Sequence, residues 1–111
     1  MQKCFNNGEK MGRLIFNPCE IISFDVRIVK EREDFEVIHL TIETEDNCLK
    51  YRVCSDEREP DLSLIQRDLY SGLSKVRDDN ADIEIEEYMQ RDYLFVRYPD
   101  GTSKQYTARK I

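Results

Sequence analysis

Residues 61–77 read Asp61-Leu-Ser-Leu-Ile-Gln-Arg-Asp-Leu-Tyr-Ser-Gly-Leu-Ser-Lys-Val-Arg77. Leu62, Ile65, Leu69, Leu73 and Val76 recur at spacings of three, four, four and three, which makes one apolar stripe on an α-helix. Pro60 or Asp61 suits its start, and Asp78-Asp79-Asn80 ends it. Gly72 within the helix costs roughly 1 kcal/mol against Ala. The expected reason is close passage of that backbone over a sheet.

Working outward, three runs of alternating residues precede the helix. Ile21–Arg32 sets Ile22, Phe24, Val26 and Ile28 on one face against Ser23, Asp25 and Arg27 on the other. Phe35–Thr44 alternates Ile38, Leu40 and Ile42 with His39, Thr41 and Glu43. Cys48–Cys54 presents Leu49, Tyr51 and Val53. Glu33-Asp34 and Glu45-Asp46-Asn47 supply the turns. Connections this short predict an antiparallel meander. Three more strands are expected after the helix: Asp82–Met89, Asp92–Tyr98 and Ser103–Arg109. Asp100-Gly101 between the last two offers the positive φ of a tight hairpin.

The expected fold is therefore α+β, in the order β-β-β-α-β-β-β, with a mostly antiparallel curled sheet packed on one long helix. Curling lets one helix cover the sheet; the alternative is a flatter sheet with a face left for a partner. Six strands at ~4.8 Å make a flat sheet about 24 Å across. One helix is only ~10–12 Å wide. Residues 1–11 show no period and are expected to be a flexible N-terminal tail, with 12–111 as a single domain. At 111 residues, one core is what the chain can build.

Charge narrows the function classes. The net charge is −6 and the pI about 4.8. A nucleic-acid-binding surface, which needs a basic patch, is not expected. No apolar run approaches the roughly 20 residues of a membrane span, and the N-terminus lacks a secretory pattern. Cys4, Cys19, Cys48 and Cys54 show no CxxC spacing. Cys48 and Cys54 lie ~20 Å apart on one extended strand and cannot pair with each other. A Cys4–Cys19 bridge requires the tail to fold back. Free thiols in a reducing cytoplasm are the expectation.

The acid is concentrated. Between Asp78 and Asp92 lie seven carboxylates (Asp78, Asp79, Asp82, Glu84, Glu86, Glu87 and Asp92) and one base, Arg91. The strip's net −6 equals that of the whole protein. Asp78, Asn80 and Asp82, followed by Glu84 and Glu86, have the 1-3-5-7-9 spacing of an EF-hand loop. However, Ile83 stands where that loop needs Gly and Met89 where it needs a bidentate Glu. Glu84 and Glu86 share a strand face, as an acid–base pair would, but no pocket residues accompany them. His39, the single histidine, has no nucleophile elbow or second His to work with. Lys104, Arg109 and Lys110 beside Tyr106 are expected to face the acidic strip or to blunt an edge strand.

No catalytic constellation, cofactor or metal site is expected. The expected function is that of a small acidic, non-enzymatic protein that inhibits or neutralises a basic macromolecular partner, as immunity proteins and phage inhibitors do. The seven carboxylates from Asp78 to Asp92 are its candidate contact surface. The alternatives are an accessory or structural subunit that assembles with other chains or with itself through a sheet face or edge, and a small enzyme or ligand-binding half-barrel. The strand at 92–98 is bulky on both sides, with Tyr93, Phe95 and Arg97 on one and Leu94, Val96 and Tyr98 on the other, so burial in the curled core is expected and an exposed aromatic binding face is the alternative.

Overall fold

The computed structural model describes residues 10–54 and 59–111. Seven strands and one helix run in the order β1 (Lys10–Phe16), a 3-10 turn (Pro18–Glu20), β2 (Ile21–Arg32), β3 (Phe35–Thr44), β4 (Cys48–Cys54), α1 (Leu62–Ser74), β5 (Asp82–Tyr88), β6 (Asp92–Arg97) and β7 (Ser103–Lys110). They form a single sheet in the order β1-β5-β6-β7-β4-β3-β2, with every neighbouring pair antiparallel. The expected α+β fold holds, with one strand added in front. The expected tail of residues 1–11 falls mostly outside the described residues. Its last two residues, Lys10 and Met11, open β1.

The added strand explains the shape. β1 and β2 stand at opposite edges of the sheet, yet only Asn17–Glu20 separates them in sequence. A flat seven-strand sheet would hold its edges ~29 Å apart. The five Cα steps from Phe16 to Ile21 reach ~18 Å at most. The sheet must therefore curl until its edges approach, without closing. Pro18 is buried in the link, and Glu20 caps it by accepting a hydrogen bond from the Asn17 N–H at 3.0 Å.

α1 fills the interior of the curled sheet. Asp61 is its N-cap, its carboxylate accepting from the Leu64 N–H at 3.1 Å, which decides between the two expected starts. Leu69, Leu73 and Val76 are buried among Ile38, Leu40, Ile42, Ile83, Ile85, Leu94 and Val96. Polar side chains fasten the helix on both sides. Gln66 donates to the Val26 carbonyl at 2.9 Å, and Arg77 donates to the Ile21 and Pro18 carbonyls, all along the β2 edge. On the sheet's middle, Tyr106 and Lys104 of β7 both donate to Asp68. β7 is therefore an interior strand, and Lys104 serves the helix. It neither faces the acidic strip nor guards an edge.

Two expectations need correction. Ile22 was expected on the core face, but the β2–β3 register slips between Ile21 and Ser23. That bulge buries Ile21 and leaves Ile22 62% exposed. Gly72 does lie over the sheet, but loosely: a Cβ there would meet Tyr106 Oη at 3.9 Å, an ordinary contact. No helix among the described residues is long and apolar enough to cross a membrane.

Two substitutions test this packing by chemical denaturation. Leu69→Ala should cost about 2–5 kcal/mol as a buried cavity mutation. Gly72→Ala should instead stabilise by about 0.5–1 kcal/mol, because the helix gains an alanine without a clash. A loss on Gly72→Ala would mean that the helix sits closer to β7 than described.

Candidate functional site

Strand alternation sorts the acidic strip. The turn after α1 ends at Asn80, the one non-glycine residue with positive φ (51°) among the described residues. Asp82, Glu84 and Glu86 then point to the outer face of β5, while Ile83, Ile85 and Glu87 point inward. Successive outward carboxylates are ~6.6 Å apart along a strand. The EF-hand-like donors therefore diverge, and no group of three metal-ligating side chains exists among the described residues.

Neighbouring strands neutralise the middle of the strip. Register sets Arg13 of β1 and Tyr93 of β6 opposite Glu86, and Arg97 of β6 opposite Asp82. Glu84, with its side chain 7% exposed, is held between Arg97 Nε at 2.9 Å and Arg13 Nε at 3.2 Å. Glu86 takes Lys10 Nζ at 3.0 Å and the Tyr88 hydroxyl at 3.0 Å, with Arg97 further off at 3.8 Å. The Lys10 hydrogen bond, above all, keeps the Glu86 carboxyl below the usual range. Arg97 also stacks on Phe95, with its guanidinium carbon 4.4 Å from the ring centre. Tyr88, Tyr93 and Phe95 form a half-buried aromatic row beside these pairs.

Glu87 and Asp92 go the other way. They face each other across β5 and β6 on the inner side, with Gly12 of β1 beyond Glu87. Asp92 is buried. Burial first, and then the charge of Glu87, push its carboxyl above the usual range. The Tyr88 and Lys110 backbone N–H groups and the Lys110 charge pull it back only in part. The Tyr51 hydroxyl, fully buried nearby, has no hydrogen-bond partner among the described residues. Burial, and then Asp92 and Glu87, push it up to about 12.

Asp78, Asp79 and Asp82 remain. All three are exposed, and none makes an ion pair with another described residue. A groove of about 360 Å³ lies between α1 and β2, with Ile21, Ile22, Phe24, Tyr70, Leu73 and Val76 among its walls. Asp78 and Asp79 follow the groove residue Arg77 in sequence, whereas Asp82, next to the groove residue Ile83, points to the opposite sheet face. The seven candidate residues thus do not form one surface: four are used within the fold and three stay exposed without an ion pair to another described residue. The counter-charges Lys10 and Arg13 escape a sequence reading because they lie in or beside the expected tail. The one signal for them is the apolar run Leu14-Ile15-Phe16 before Asn17-Pro18.

The other candidates have structural partners. His39 Nε2 lies 3.1 Å from Glu31 Oε2, which also accepts from Arg52 Nη2 at 2.7 Å. The hydrogen bond to His39, followed by that to Arg52, holds the Glu31 carboxyl below the usual range. Cys19, Cys48 and Cys54 are free thiols, and Cys4 lies outside the described residues.

Glu84→Gln should destabilise the fold by about 1–2 kcal/mol, since it removes a buried carboxylate from two arginines that are themselves half hydrated. Asp82→Asn should stay within about 0.5 kcal/mol of the parent. Equal effects would contradict the division of the strip. Asp92 gives a pH signature. Its pKa is higher in the fold than in the unfolded chain, so its ionisation opposes folding above that pKa and costs nothing once both states are protonated. Asp92→Asn should therefore raise the melting temperature at neutral pH. The gain should vanish as pH falls through the folded pKa toward the ordinary Asp value near 4. A pH-independent offset would show that its charge is not the cause. Compared with family models, curated proteins and solved structures, the chain matches none, so its function is read from this geometry.

Proposed function

We propose that this chain is a non-enzymatic binding protein that captures a basic macromolecular partner and blocks or neutralises it. One observation supports this above the others. Within the acidic strip the fold compensates Glu84 and Glu86 and turns Glu87 and Asp92 inward, but leaves Asp78, Asp79 and Asp82 exposed and without an ion-pair partner among the described residues. Adjacent like charges do little for folding and are better accounted for as complements to a basic surface. Attraction from such a cluster also speeds encounter. The site is thereby reduced from seven residues to three.

A second reading has its own support. The half-buried row Tyr88–Tyr93–Phe95, with Arg97 stacked on it, lies on the outer sheet face and resembles the aromatic and arginine anchors of assembly surfaces. Assembly through that face would make the chain an accessory subunit. A ligand pocket within the curled sheet has less support, since the α1 stripe fills that interior.

Salt separates the first two. Replacing Asp78, Asp79 and Asp82 together by Asn should leave the fold intact. Binding of the basic partner should weaken mainly through slower association, with a shallower dependence on ionic strength. Stopped-flow association at several salt concentrations measures both. Unchanged rate and slope would direct attention to the aromatic row.

A further inference from the structure

We infer that the groove between α1 and β2 seats an amphipathic, basic segment of the partner protein, docked through side chains and not as an added strand. The inference rests on the function proposed above and specifies its ligand.

The groove is apolar where an occupant would touch it. Its lips are Ile22, 62% exposed, and Tyr70, 54% exposed, with Phe24 packed edge-to-face on Tyr70 at 5.4 Å. Ile22 also borders a second hollow of about 430 Å³, which Ile15, 48% exposed, shares. Large apolar side chains gathered in this way are characteristic of interaction sites. The Ile22 exposure has a local cause, the β2 bulge, which turns an alternating core residue out onto the lip.

The polar boundary sets the charge of the occupant. The acidic side chains lie in the adjoining hollow, where Glu20, Glu45 and Asp46 stand beside Ile22, the residue it shares with the first groove. The base within the groove, Arg77, is engaged with the Ile21 and Pro18 carbonyls. An apolar floor with a carboxylate rim complements a segment that carries Leu-like anchors on one face and Lys or Arg on the other. A second copy of this chain, itself at net −6, would bring like charge to that rim.

The backbone sets the mode of docking. An added β-strand would need the free carbonyls of the β2 edge. Gln66 of α1 occupies the Val26 carbonyl and Arg77 of the turn after it the Ile21 carbonyl, so side chains already interrupt that ladder. A helix or loop that inserts side chains needs none of these groups.

The test uses the full chain, labelled with ¹⁵N, and three synthetic peptides at ~10 mM salt, where charge attraction reaches ~30 Å. One peptide carries Leu and Lys at helical spacing. The second has the same composition scrambled so that no stripe forms. The third replaces Lys by Glu. The striped basic peptide should shift resonances of Ile21–Phe24, Tyr70 and Arg77. It should bind about tenfold or more tighter than the scrambled one, and the Glu peptide should not bind. Ile22→Ser with Tyr70→Ser, both at exposed positions, should remove that preference while the protein stays folded. If striped and scrambled basic peptides bind equally, or the double variant binds unchanged, the groove inference fails and charge capture alone stands. If neither basic peptide binds, the groove inference fails together with the proposed function.

Discussion

Everything in this fold depends on the short run Asn17–Glu20. It ties together two strands that belong to opposite edges of a seven-stranded sheet, at a separation that a flat sheet would exceed. Curling solves the connection but opens an interior that must be filled. The single helix fills it with Leu69 and Leu73, Val76 of the following turn joins them, and polar residues make the remaining contacts. Gln66 and Arg77 serve β2 carbonyls near the open seam, and Asp68 ties the helix to β7. The same link delivers β1 to the flank of β5, and with it Lys10 and Arg13.

That delivery changes the meaning of the charge. Taken as a linear strip, seven carboxylates within fifteen residues suggest one strongly negative surface. In the fold they have three fates. Glu84 and Glu86 are met by Arg13, Arg97 and Lys10 on flanking strands. Isolated surface pairs contribute little, but Glu84 is buried and shared by two arginines, so it is coupled to strand pairing. Glu87 and Asp92 face inward, where burial raises the Asp92 carboxyl and the Tyr51 hydroxyl goes without a partner. Such groups oppose stability, and in a domain of a few kcal/mol net stability their effect is measurable. Of the seven, Asp78, Asp79 and Asp82 alone stay exposed and without an ion-pair partner among the described residues.

The curled sheet does not close completely. The seam between β2 and the helix leaves apolar side chains at the surface, among them Ile22 and Tyr70. The groove proposed above as a docking place follows from that incomplete closure.

The sequence by itself determined the helix and six of the strands. Periods of 3.6 and 2 reflect which side chains must avoid water, and that requirement acts locally along each element. The Asp100-Gly101 hairpin was legible for a similar reason, since Gly101 supplies a φ of 93°. β1 was not legible: Leu14-Ile15-Phe16 is too short and unbroken to alternate, and only pairing with β5 makes it a strand. Strand order, the bulge that turns Ile22 outward, and the division of the acidic strip were decided by tertiary structure. Each depends on a contact between residues distant in the chain, such as Arg13 with Glu84 or Gln66 with Val26. Charge could be counted from the sequence, but which charges remain unpaired depends on which strands lie side by side.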